Sequence, residues 1–270
     1  MNVEVRRQHQ ETRAGWDRIA ASKYRAELPG DVALLQRGGH TFLPIELDLL
    51  LPELPRVHHA IHLQCSHGLD ALGLLNLGVP RVTGIDISAE MIRLAEEKTA
   101  SLGAAARWVC SDVLEVPDSL DGSADLVFTG KGALPWILDL EEWSAVVARL
   151  LRHGGLFYAF EGHPLAAVWD RDADVPRMPE NAAGYFESAP FERTGFPADA
   201  LRQLDPAPRL PMREQHWRAG QVIGALQRTG MQLQHFDEYP DAFWPQFPRW
   251  TKEVSGKLPM SYAILARKGR

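Results

Sequence analysis

Residues 60–88, AIHLQCSHGLDALGLLNLGVPRVTGIDIS, constrain the fold more tightly than any other part of the chain. Residues 60–63 are mostly apolar and read as a strand aimed at a turn, residues 64–68. Leucines at 72, 74, 75 and 77 give residues 69–77 helical spacing, and Gly78 supplies the stop. Residues 81–85 read as a second strand that ends on Asp86. Strand, turn, helix, strand and acid, in that order, form the opening unit of a doubly wound α/β fold. Asp86 lies 18 residues beyond Gly68, close to the spacing at which an acid meets a ribose diol.

The turn separates the ligands this unit can take. A dinucleotide fold puts glycine at all three positions of G-x-G-x-x-G, so that backbone can approach a pyrophosphate. The matching positions here are Gln64, Ser66 and Leu69, and only Gly68 relieves crowding nearby. That argues against a pyrophosphate cradle, and so against an NAD-dependent oxidoreductase. A nucleoside with a ribose and no phosphate still suits the unit, and S-adenosylmethionine (SAM) is such a ligand. A non-catalytic protein that binds SAM or a metabolite on this fold remains open.

The residues Ile61-His62-Leu63-Gln64-Cys65-Ser66-His67-Gly68 resemble the first motif of the class I SAM-dependent methyltransferases, which usually runs apolar-Asp-Leu-Gly-Cys-Gly-x-Gly. The chain looks most like a bacterial branch in which the motif reads His-Leu-Gln-Cys, largely small-molecule methyltransferases. His62 stands where the family has an acid, and Gln64 and Ser66 replace two glycines. The resemblance covers residues 10–165 well and the final strands more loosely. It implies a Rossmann-like doubly wound sheet of seven strands with an antiparallel last strand, SAM as cofactor and S-adenosylhomocysteine (SAH) as product. It implies roles for residues as well. Tyr24, on an N-terminal helix, would reach the methionine carboxylate, with Arg25 a weaker candidate. Gln64, Cys65, Ser66, His67 and Gly68 would form the cofactor loop. Asp86 would take the ribose hydroxyls and Ile87 a face of the adenine. Asp112 would accept the exocyclic amine, the backbone of Val113 would read a ring nitrogen, and Thr129 would close the set.

The remaining chain divides around that core. Residues 1–56 are expected to be a helical cap, polar over residues 2–27 with Trp16, Ile19, Ala20 and Tyr24 on one face, then a Gly/Pro-rich loop with a short apolar segment at 47–51. Residues 57–164 are the SAM-binding core, with further strands at 106–110, 124–129 and 156–160 and helices at 89–100 and 139–151. Ser88 is a natural N-cap. Residues 152–155 are expected to close the second of these helices. Residues 165–213 break the alternation with prolines at 176, 179, 190, 197, 206, 208 and 211 and with aromatics at 169, 185, 186, 191 and 196. They read as an insertion, and the resemblance implies that it serves substrate recognition. Residues 214–270 return to the core, with a helix at 216–229 and strands at 231–237 and 261–267.

Trp136, Tyr185, Phe186, Trp217, Phe243 and Trp244 are the expected substrate-binding side chains, and Lys131 stands in the same loop as Trp136. Methyl transfer depends mainly on positioning, and an acceptor oxygen or nitrogen also needs a base. His163 and His216 are the candidates, with Glu161 to orient a histidine or bind an amine. No metal is expected, because Asp170, Asp172 and Asp174 lack the glycine and glutamate of a calcium loop. A net charge of −6 gives no electrostatic case for nucleic acid or an anionic membrane. Cys65 and Cys110 make no disulfide framework and read as buried reduced thiols. The first fifteen residues show no signal peptide, and no apolar run reaches the ~18 residues of a membrane span. The expectation is a cytoplasmic monomer or homodimer acting on a small-molecule acceptor.

Overall fold

The computed structural model describes residues 2–180, 184–187, 190–192 and 210–269. Its strands are β1 (His59–Leu63), β2 (Arg81–Asp86), β3 (Ala106–Cys110), β4 (Ala124–Gly130), β5 (Leu151–Gly162), β6 (Phe191–Glu192), β7 (Arg213–Glu214), β8 (Met231–Tyr239) and β9 (Ser261–Lys268). Seven of them form one sheet in the order β3-β2-β1-β4-β5-β9-β8, and β6 and β7 form a separate antiparallel pair. β1 to β5 run parallel, and β9 is antiparallel to both of its neighbours. This is the expected sheet with its reversed last strand.

Every residue of β1 is buried, as a central parallel strand covered on both faces requires. Alternate side chains feed two cores. Ile61, Leu63, Val127 and Phe157 meet Trp143, Val147 and Leu226 on one face. Ala60, Leu126, Phe128 and Tyr158 meet Leu50, Ala71 and Leu74 on the other. The covering helices include α1 (Val3–Ile19), α2 (Arg25–Gln36), α3 (Pro44–Leu50), α4 (Leu69–Asn76), α5 (Ala89–Leu102) and α6 (Leu140–Leu150). Ser88 caps α5 by accepting the Met91 N–H. Among the described residues, no helix is long and apolar enough to cross a membrane.

Several expectations change. The N-terminal helix does not stop at residue 27. It passes through a π turn at Ala20–Tyr24 and continues as α2 across Pro29 and Gly30. Packing overrides the local breakers: Leu28 joins Ala20, Met91 and Leu94 in a small apolar cluster. Residues 152–155 do not close a helix but belong to β5, where the register with β4 shifts between Ala124 and Leu126. The helix expected at 216–229 begins at Ala219: its N-cap Arg218 is extended, and the preceding Trp217 is anchored by its indole N–H on the Ile137 carbonyl (2.7 Å). Cys110 is exposed rather than buried. Of the expected insertion, Phe196, Pro197, Pro206 and Pro208 lie outside the described residues.

Candidate active site

The strand order reverses direction between β1 and β4, and the crevice at such a switch point is where doubly wound sheets hold ligands. A cavity of about 990 Å³ opens there, at the carboxyl ends of the strands. That is the upper end of the ~300–1,000 Å³ range of ligand pockets, which leaves room for a cofactor and an acceptor side by side.

The loop after β1 has glycine geometry without glycine. Gln64 has φ 53° and Ser66 has φ 50°, both left-handed. Such a conformation costs an L-residue roughly 1–2 kcal/mol. Local bonds offset the cost. The Gln64 amide donates to the Ala133 carbonyl (2.6 Å), tying the loops after β1 and β4 together across the crevice. The Ser66 N–H donates to Asp86 Oδ2 (2.8 Å). Gly68, at φ 78°, must be glycine for a second reason: a Cβ would sit 2.5 Å from the Trp108 ring.

Asp86 ends β2 on the cavity wall, with its second oxygen accepting the Ser88 N–H (2.9 Å). Burial pushes its carboxyl up to about 6 despite these donors. Asp112 follows β3 and accepts the Leu114 N–H on Oδ1 (2.9 Å) and His9 Nδ1 on Oδ2 (2.7 Å). Tyr24 closes the site from the π turn, its ring 4.4 Å from that of His67, and burial raises its phenol pKa. Beneath it, the fully buried Lys98 reaches the His67 carbonyl and Asp31 Oδ2, each at 2.9 Å.

The loop after β4 is held from both sides. Gly130, Lys131 and Gly132 all have positive φ. Glu161, at the end of β5, accepts the N–H groups of Gly132, Ala133 and Leu134 at 2.8–3.0 Å, while burial pushes its carboxyl up to about 7. The Lys131 ammonium passes to the other face, to Asp70 (3.1 Å) and Glu46 (3.4 Å).

The two histidines differ. His163 accepts the Leu165 N–H on Nδ1 (3.1 Å) and pairs through Nε2 with Glu238 (2.7 Å), so both ring nitrogens are committed. His216 Nε2 meets the Pro164 carbonyl, which can only accept, so the proton sits on Nε2 and Nδ1 keeps its lone pair. Burial lowers the His216 pKa, which keeps the ring neutral.

The structure brings Tyr24, Gln64, Ser66, Asp86, Ile87, Asp112 and Val113 to the wall, and with them Glu161, His163, His216, Trp136, Trp217, Phe243 and Trp244. It does not bring Cys65, His67, Gly68 or Thr129 there. Cys65 is buried, and desolvation raises its thiol pKa far above the usual value. Thr129 is 1 % exposed and donates to the Leu63 carbonyl. Tyr185 and Phe186 also lie off the wall: Phe186 is 79 % exposed beneath Arg218, and Tyr185 packs edge-on against His216. The sequence reading missed His9 and Thr12, which share the wall with Trp16. Their spacing of three and four residues on α1 was the available signal.

Comparison with known proteins agrees with the fold and names a domain within it. Residues 60–155 match the family model described as a methyltransferase domain. No curated protein matches the sequence. A SAM-dependent methyltransferase from Mesorhizobium loti superposes with a TM-score of 0.61 at 22 % identity, covering 82 % of this chain and 95 % of that one. One from Methanosarcina mazei gives 0.57 at 18 % identity, covering 84 % and 98 %. A geranyl diphosphate C-methyltransferase from Streptomyces coelicolor, solved with SAH, gives 0.57 at 11 % identity, covering 83 % and 75 %. The left-handed loop after β1 and the carboxylates of Asp86 and Asp112 at the adjoining strand ends fit a nucleoside with an amino-acid tail. Residues 60–155 thus match a methyltransferase domain, and the chain shares the fold of SAM-dependent methyltransferases.

Proposed function

We propose that this chain is a SAM-dependent methyltransferase that methylates a small acceptor, aromatic or otherwise apolar, on an oxygen or nitrogen that carries a removable proton. One observation carries the reading: His216 alone of the three expected catalytic side chains keeps an uncommitted basic atom on an aromatic cavity wall. Glu161 is occupied by three backbone N–H groups, and His163 by Leu165 and Glu238. Trp136, Trp217, Phe243 and Trp244 supply the apolar surface.

The cofactor, when bound, supplies an electrophilic methyl group on a sulfonium that leaves as the neutral thioether. Asp86 takes the ribose hydroxyls, Asp112 the adenine amine, and Tyr24 lies over the methionyl end. Gln64 and Glu161 fix the loop after β4 on the cavity wall, so the acceptor is held in line and water is excluded. His216 Nδ1 takes the proton that the acceptor loses as its lone pair bonds to the methyl carbon.

A panel of phenols, carboxylic acids and heteroaromatic amines, assayed with wild type and His216→Asn, tests this. Loss of kcat by about 10²–10⁴-fold in the variant, with SAH affinity unchanged, is the expected result. An unchanged kcat would remove His216 as the base, and methylation of RNA or protein alone would overturn the small-molecule reading.

A further inference from the structure

We propose that His9 is a positioning residue for adenine recognition, holding the Asp112 carboxylate at the adenine edge from the N-terminal helix. This rests on the reading that Asp112 meets the exocyclic amine.

His9 and Asp112 are each 5 % exposed, and both line the cavity. His9 Nδ1 lies 2.7 Å from Asp112 Oδ2 across 103 residues of chain. The Leu138 N–H points at His9 Nε2 at 3.3 Å. An amide N–H can only donate, so Nε2 carries the lone pair and the ring proton sits on Nδ1, donated to Asp112. The ring therefore joins three segments: α1, the end of β3 and the chain entering α6.

The consequence falls on Asp112. Its Oδ1 is fixed by the Leu114 N–H at 2.9 Å and its Oδ2 by His9, so the carboxylate plane is set by one donor on each oxygen. Each oxygen keeps another lone pair for a donor in the cavity. A 6-amino purine supplies one. A 6-oxo purine offers an acceptor to a group that has no hydrogen to give. Without His9 the buried carboxylate has a single N–H donor and turns more freely. A carboxylate free to turn from the adenine edge holds a 6-amino group less well and opposes a 6-oxo group less, and discrimination would fall. Thr12 and Trp16 continue the same face of α1 along the wall. His9 is thus the point at which the helical cap touches cofactor recognition.

The test is calorimetric binding of SAH and of its deaminated analogue, S-inosylhomocysteine, to wild type, His9→Phe, His9→Gln and Asp112→Asn. Wild type should prefer SAH. His9→Phe should weaken SAH on the order of tenfold, the scale of one lost bond to a charged group, and should narrow the preference. His9→Gln, whose amide can still donate to Asp112, should keep most of it. If phenylalanine is not accommodated, His9→Ala below its melting midpoint gives the same comparison. An equal loss for both ligands with the preference intact would make His9 merely structural and overturn the proposal. If Asp112→Asn leaves the preference at its wild-type value, Asp112 does not read adenine and the reading beneath it fails instead.

Discussion

At the scale of single residues, the loop after β1 is left-handed at two positions that are not glycine and is held by side chains. Gln64 accepts a left-handed backbone and in return bonds the Ala133 carbonyl. Alanine there would keep the strain and lose the bond. Gln64→Ala should cost about 1–2 kcal/mol of stability, read by chemical denaturation, and should weaken SAH binding as well. A change in stability with no change in SAH affinity would show that the bond between the two loops does not shape the site. Asp86 carries a pH signature. Burial raises its carboxyl to about 6 in the free protein, and the ribose hydroxyls prefer the ionised form. Binding then releases a proton below that value, so SAH affinity should climb as pH rises from 5 to about 7 and level off above. Asp86→Asn should flatten the profile; a slope that survives in the variant would assign it to another group.

At the scale of elements, α1 meets Met212, the residue before the short strand β7, closely at Gly15. A Cβ there would lie 2.4 Å from Met212 Sδ and 2.8 Å from its Cγ. Alanine normally improves a helix interior by about 1 kcal/mol over glycine. At this position overpacking of about 1–3 kcal/mol should reverse the sign, so Gly15→Ala should lower the melting midpoint. A rise instead would mean that Met212 moves aside freely. The same elements show what a sequence makes legible. β1, β2 and β3 were readable to within a residue, because each is a short run bounded by turn residues. The continuation of the first helix through Pro29 and Gly30 was not. It depends on Leu28 packing with Met91 and Leu94, a contact between distant segments. The start of β5 at Leu151 was hidden for the opposite reason: Gly154 and Gly155 look like a helix stop but serve a register shift with β4.

At the scale of the whole molecule, the switch point between β1 and β4 decides where a ligand crevice lies, and the seven-stranded sheet with its reversed last strand was implied by the resemblance of the first motif. Asp86 and Asp112 reached the wall because strand ends are fixed by topology. His9 escaped notice because its partners, Asp112 and Leu138, are more than a hundred residues away. Tyr185 and Phe186 were expected on the wall as aromatics in an insertion, yet composition does not fix the direction of a side chain. All of this turns on a nucleoside sulfonium occupying the crevice with its ribose on Asp86. Titration of wild type and Asp86→Ala with SAH, and of wild type with NADH, measures that directly. We expect one SAH site, weakened by about 1–3 kcal/mol in the variant, and no NADH binding. Heat from NADH with none from SAH, or an Asp86→Ala protein that binds SAH as tightly as wild type, would contradict it.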